Sequence, residues 1–291
     1  MTSPIYYLGS RRNKGFMKTK LGVLRTAVFF VVLSFSCKRK NEQPGFVRSE
    51  EAKEFICATD FHILNKNSPS TSVAVGAEKY FWPNNPGGPI VIHVKFLQGG
   101  NDYIFQKVEH YAKEWEKYAN VRFDFVDRAE PAEIRISFDV TDETFVKAIG
   151  IYLLDFAEDD QYNMHFEGLS NNSQESEISE SVLHEFGHVL GLMHEQYHPR
   201  ARWNKPYIYA YYSREKGWSK KEVDKFFFKG FQMFDPKYSK YDSKSIMHYW
   251  YPEKFALNHV GEFGSSELSD GDKKFIQKIY PFPPAILKRS N

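Results

Sequence analysis

From Ile90 to Phe96 the chain alternates: Ile90, Ile92, Val94 and Phe96 share one side, Val91, His93 and Lys95 the other. Period two predicts a half-buried strand. Gly99-Gly100-Asn101-Asp102 then marks a turn that ends in a helix N-cap. After it the period changes. Ile104, Val108, Tyr111, Ala112, Trp115, Tyr118 and Ala119 fall at helical spacing and make one apolar stripe. Alternation returns at Val121, Phe123 and Phe125, and again at Ile134, Ile136 and Phe138. The order strand, helix, strand, strand predicts a mixed sheet backed by helices, an α+β fold. Near the C-terminus Asp270-Gly271-Asp272 opens a last helix with Phe275, Ile276 and Ile279 on its apolar side, stopped by Pro281, Pro283 and Pro284. No internal repeat interrupts this order.

Ahead of Tyr80 the pattern is different. Met17-Lys18-Thr19-Lys20 and Arg25 precede an apolar run of nine residues, Ala27 to Phe35. That run is too short to span a bilayer as a helix and matches the h-region of a signal peptide; residues 1–16 look unlike any n-region, which makes Met17 a candidate for the true start. The run closes on Ser36-Cys37, and a small residue before a cysteine resembles a bacterial lipoprotein cleavage site, although Phe35 stands where a small residue is usual. Residues 1–36 therefore read as a signal peptide, 37–78 as a lipid-anchor linker or pro-segment, and 79–285 as the folded domain. The product is expected to be exported and held at a membrane through Cys37, in the periplasm or at the cell surface, or else secreted.

Composition removes several function classes. Lys and Arg total 39 against 37 Asp and Glu, a net charge of +2, which gives no reason to expect nucleic-acid binding. A mean hydropathy of −0.54 excludes a multi-span membrane protein, and two cysteines cannot build a disulfide scaffold. Export would permit a Cys37–Cys57 disulfide. A lipid on Cys37 would instead leave Cys57 as a free thiol. The acid-rich stretch 155–180 reads as a solvated loop, with a cation site as the sharper alternative, and the Lys- and Arg-rich stretch 200–244 as a solvated helical surface.

The chemistry lies in Ser181-Val182-Leu183-His184-Glu185-Phe186-Gly187-His188-Val189-Leu190-Gly191-Leu192-Met193-His194-Glu195. His184 and His188 are one helical turn apart, so their imidazoles share a face. Glycine takes positive φ without steric cost, so the helix can end at Gly191 and the chain can bring His194 back. Three neutral nitrogens with an open fourth position describe one catalytic zinc ion rather than a closed structural site, and three imidazoles favour zinc over non-haem iron, while spacing alone does not separate zinc from copper or cobalt. Glu185, beside the ligands and not needed as one, is placed to take a proton from water and pass it to a leaving amine.

The segment His184 to His194 is identified as a metzincin zinc signature. Glu195 after the third histidine, Ser245-Ile246-Met247-His248-Tyr249, Trp82-Pro83 and Leu268-Ser269-x-x-Asp272 resemble the astacin family of zinc endopeptidases, over about residues 80–282. The resemblance implies a metzincin-like catalytic domain of two lobes: a mixed twisted sheet with two long helices above, a less regular lower lobe below, and an extended peptide paired to a sheet edge between them. It implies zinc on His184, His188 and His194, general base and acid work by Glu185, and Met247 as an apolar floor. Tyr249 would be a resting-state zinc ligand that swings out to help stabilise the oxyanion. Glu195 would pair with the mature N-terminus. A pro-segment aspartate holds many members latent, a part that Asp60 would play here; the thiolate of a free Cys57, itself a good zinc ligand, is the competing candidate, and a chain with no such latch is the third reading. Leu192 replaces the usual Phe, Gln196-Tyr197-His198-Pro199-Arg200 lacks the usual arginine and aspartate pattern, and the disulfide cysteines of animal members are absent, which points to a bacterial-type member. The expected substrate is a protein or peptide. The competing class is a surface-anchored binding or adhesion protein whose zinc site is only structural.

Overall fold

In the computed structural model the first alternating segment forms β1 (Ile90–Gln98) and the helical stripe forms α1 (Asp102–Ala112). The structure describes residues 80–138, 144–156, 161–198, 200–228, 240–257 and 265–284. The signal segment, Cys37, Cys57 and Asp60 lie outside the described residues. β1 alternates as expected up to Val94, but Lys95 is buried as well, its Nζ donating to the Glu130 carbonyl at 2.9 Å. A long alkyl stem with its ammonium tied to a carbonyl can occupy such a position.

α1 starts where the Asn101 side chain accepts the Ile104 N–H at 3.2 Å. It ends at Ala112, well before the stripe does. The chain tightens into a 3₁₀ turn at Trp115–Lys117. There the Trp115 indole donates to the Leu183 carbonyl at 3.1 Å, and Glu116 accepts the Phe123 N–H at 2.7 Å. These two distant partners override local helical spacing.

β2 (Val121–Phe125), β3 (Ile134–Ser137), β4 (Phe145–Val146) and β5 (Met164–His165) complete the sheet. The strand order is β2-β1-β3-β5-β4. β1 pairs in parallel with β2, Ile90 opposite Val121, and with β3, Val94 opposite Ile134; β3 and β5 are also parallel. Only β4, which ends the order, is antiparallel. The mixed sheet expected from the sequence is therefore present.

α2 (Glu175–Val189) packs on α1 and the sheet, with every residue from Ser181 to Val189 buried. The ring of Phe186 meets Phe123 of β2 edge-on at 4.9 Å between centroids. The C-terminal carbonyls of a helix have no partner within it. Here the Trp82 indole donates to Val189 O at 2.7 Å and the Tyr280 hydroxyl to Leu190 O at 2.8 Å. This explains physically why Trp82 and Tyr280, far apart in sequence, are both buried.

A second hydrophobic core forms around α3 (Lys205–Lys216) and the short α4 (Lys220–Val223), from Trp203, Ile208, Tyr212, Val223, Phe227, Tyr249, Tyr251 and Phe255. α5 (Asp270–Ile279) begins at the N-cap Ser269 and returns to the first core through Ile276. Among the described residues no helix is long and apolar enough to cross a membrane.

Candidate metal centre

α2 carries His184 and His188 on one face, with ring centroids 4.9 Å apart. The helix closes at Leu190, and Gly191 then turns the chain at φ +92°. His194 comes back so that its Nε2 lies 2.9 Å from His188 Nε2 and 3.2 Å from His184 Nε2. All three side chains are buried.

The outer nitrogens fix the tautomers. His184 Nδ1 faces the Ile246 carbonyl at 2.8 Å, and His188 Nδ1 faces the Leu192 carbonyl at 2.9 Å. A carbonyl can only accept, so both Nδ1 atoms carry the proton and both Nε2 atoms present lone pairs. Burial, with His248 adding to it, holds His194 well below its ordinary value, which favours the neutral imidazole that a metal needs. Three imidazole nitrogens converging at 2.9–3.2 Å can offer their lone pairs to one cation. The edge of a tetrahedron with zinc–nitrogen bonds of 2.0–2.1 Å is about 3.3–3.4 Å, close to this spacing. The donor set fits zinc. Among the described residues it is the one group of three His, Cys, Asp or Glu ligand atoms near enough to hold an ion; Glu158, Asp159 and Asp160 of the acid-rich stretch lie outside the described residues.

Glu185 follows the first ligand on the same helix and is wholly buried. Tyr249 enters from the second core. Its ring lies 4.4 Å from that of His194 and 5.9 Å from that of His184, and its hydroxyl is 3.5 Å from His194 Nδ1. Met247 packs beneath the helix: a Cβ on Gly187 would run into its Sδ and come within 3.3 Å of Trp115. Gly187 thus lets both side chains pack tightly under the ligands.

Three contacts secure the turn that carries Met247. Glu195 N donates to Met247 O at 3.0 Å, Tyr249 N to Gln196 Oε1 at 3.2 Å, and Ile246 N to Asp272 Oδ2 at 2.9 Å. Gln196 had no motif to mark it. Its only sequence signal is its place two residues after a metal ligand. Glu195 accepts the Asp242 N–H at 2.8 Å; burial pushes its carboxyl up to about 8, opposed by that bond and aided by Asp272 and Asp242. His248 is buried between the Tyr249 carbonyl at 2.7 Å and the Tyr241 hydroxyl at 3.1 Å, and burial lowers it to about 4. It does not join the ligand group.

Comparison with known proteins points the same way. Residues 165–263 match the model of the Astacin peptidase family. A solved structure titled "Structure of myroilysin" is 35% identical, with 71% of this chain and 98% of that one aligned and a TM-score of 0.61. A second, "Crystal structure of myroilysin", is 33% identical over 74% and 96% of the two chains, with a TM-score of 0.52. No curated protein matches the chain.

Proposed function

The chain belongs to the astacin family of peptidases and is a zinc-dependent endopeptidase acting on proteins or peptides; from that premise we propose how its residues divide the work. His184, His188 and His194 hold the ion. Zinc, when bound, supplies Lewis acidity and brings the pKa of a bound water down to about 7. Glu185 takes the proton from the attacking water and returns it to the leaving amine. The Tyr249 hydroxyl donates to the oxygen that gains charge as the carbonyl is attacked. An extended substrate lies along β4, which ends the strand order, and adds to the sheet by main-chain hydrogen bonds.

The observation that carries this reading is the meeting of three imidazole Nε2 atoms on and just after the helix that carries the buried Glu185. A purely structural zinc site has no use for Glu185, so nothing favours the binding-protein alternative. The test is cleavage of an unfolded protein such as casein, with and without a chelator. Loss of activity on chelation and its return with zinc support the reading; cleavage indifferent to chelation refutes it.

Tyr249→Phe is expected to lower kcat while leaving KM nearly unchanged, because its hydroxyl acts on charge that develops only in the transition state. Unchanged turnover with a raised KM would make Tyr249 a substrate-binding group instead.

For the N-terminus we propose export and lipid anchoring at Cys37, supported by the basic segment, the apolar run and Ser36-Cys37. Cys37→Ala is expected to move the protein from the membrane fraction to the soluble one. Wild-type protein recovered soluble, with an unmodified Cys37, would remove the anchor.

A further inference from the structure

The zinc ligand His184 is backed by a chain of hydrogen bonds that ends on a buried carboxylate far along the sequence. His184 Nδ1 donates to the Ile246 carbonyl at 2.8 Å. That carbonyl belongs to the same peptide unit as the Met247 N–H, which donates to Ser245 Oγ at 3.1 Å. The Ser245 hydroxyl donates in turn to Asp272 Oδ1 at 2.6 Å. The other carboxylate oxygen, Oδ2, accepts the N–H of Ile246 at 2.9 Å and of Ser269 at 2.9 Å. Asp272 is 6% exposed and Ser245 3%, so water scarcely competes for these bonds.

We infer that Asp272 is a positioning residue for the metal: through Ser245 and the 246–247 peptide, it orients His184 and raises the ligand strength of its Nε2. This inference rests on the zinc reading above.

The direction of each bond supports it. Backbone N–H groups can only donate, and the Ser245 hydroxyl accepts from Met247 N while donating to Asp272 Oδ1. Both carboxylate oxygens act as acceptors, Oδ1 for one donor and Oδ2 for two, a set of donors that favours the ionised form. Burial pushes the Asp272 carboxyl up, but the donors from Ser245, Ile246 and Ser269 pull it back. Negative charge at one end of such a chain polarises each successive bond in the same sense. The result at the far end is a stronger hydrogen bond from His184 Nδ1 and a more basic Nε2. Carboxylates or carbonyls bonded to the outer nitrogen of a metal-binding histidine commonly do this. Here the carboxylate sits two bonds further out and reaches the imidazole through a hydroxyl and a peptide.

Asp272 also belongs to the capping box of α5: its N–H donates to Ser269 Oγ at 2.9 Å. A merely structural role would be shared by Ser269, and a role toward the metal would be shared by Ser245. The experiment compares Asp272→Asn, Ser245→Ala and Ser269→Ala. It measures zinc affinity by chelator competition, the visible spectrum of the cobalt-substituted protein, and thermal unfolding of the metal-free protein. Outer-shell substitutions typically cost about 10–100-fold in metal affinity. Asp272→Asn and Ser245→Ala are expected to weaken zinc binding by about that factor and to shift the cobalt spectrum. The double variant should be little worse than either single one, because both cut the same chain. Ser269→Ala should lower the unfolding temperature while keeping the wild-type spectrum and affinity. Equal zinc affinity in wild type and Asp272→Asn overturns the inference. So does a loss in Ser269→Ala as large as in Ser245→Ala, because helix capping alone would then explain it. Failure of the wild-type protein to bind zinc would instead overturn the zinc reading, and the inference with it.

Discussion

Glu185→Gln is expected to keep its zinc and its fold and to lose about a hundred-fold or more in kcat, the usual contribution of a positioned general base. Glutamine preserves the shape of the side chain but cannot take a proton from water. At full burial the neutral amide also avoids the desolvation cost of a carboxylate, so no loss of stability accompanies the loss of rate. The deficit should appear equally in kcat and kcat/KM, because the proton moves only in the transition state. Zinc content and thermal unfolding of the purified variant separate this outcome from loss of metal. Turnover near the wild-type rate, with zinc bound, would exclude Glu185 as the base.

The ligand helix and the strands β1, β2 and β3 were legible because each depends on local spacing, whereas β4 and β5, two residues each, are too short to show an alternation, and β5 lies buried inside the acid-rich stretch that reads as a solvated loop. Histidines one turn apart share a face wherever a helix forms, and alternating residues divide between two faces wherever a strand forms. His184, His188, Ile92 and Ile136 all follow these rules, and all are buried where the spacing puts them. What escaped the sequence depends on distant partners. α1 stops at Ala112, and beyond it Trp115 and Glu116 find Leu183 and Phe123; the stripe includes Trp115 but announces neither partner. The second core escaped for a related reason. Its aromatic rings come from positions without a common period, between exposed lysines and arginines such as Lys205, whose ammonium lies 4.5 Å over the Phe228 ring. A basic surface was expected there, and the core beneath it is carried by ring area rather than by periodicity.

Site residues divide along the same line. The ligands and Glu185 stand in one contiguous motif. Tyr249 and Met247 were found only through a resemblance, since an isolated tyrosine or methionine at those positions reads as ordinary core. Asp272 was part of that resemblance without a role, and the contacts from Ser245 and Ile246 give it one. Gln196 had no signal beyond proximity to His194.

Gly191 is where local rule and distant packing act together, and Gly191→Ala is the second change expected to have a large effect. An L-residue at its φ of +92° carries a steric penalty of about 1–2 kcal/mol. The new Cβ would also lie 2.7 Å from Phe81 Cδ1 and 3.1 Å from the Tyr80 carbonyl oxygen. Such overpacking typically adds about 1–3 kcal/mol. At about 2–4 °C per kcal/mol for a domain of this size, the unfolding temperature should fall by roughly 4–20 °C. Zinc affinity should fall as well, because the displaced turn carries both Leu192 O, which holds His188, and His194 itself. Gly217→Ala is the internal control. Its φ of +67° imposes a similar backbone penalty, but nothing lies within 4 Å of its Cβ and it is far from the metal ligands in sequence. It should lose only the backbone share of about 1–2 kcal/mol and bind zinc normally. If the two variants unfold at the same temperature and bind zinc equally well, the contacts of Gly191 with Phe81 and Tyr80 do not position the third ligand.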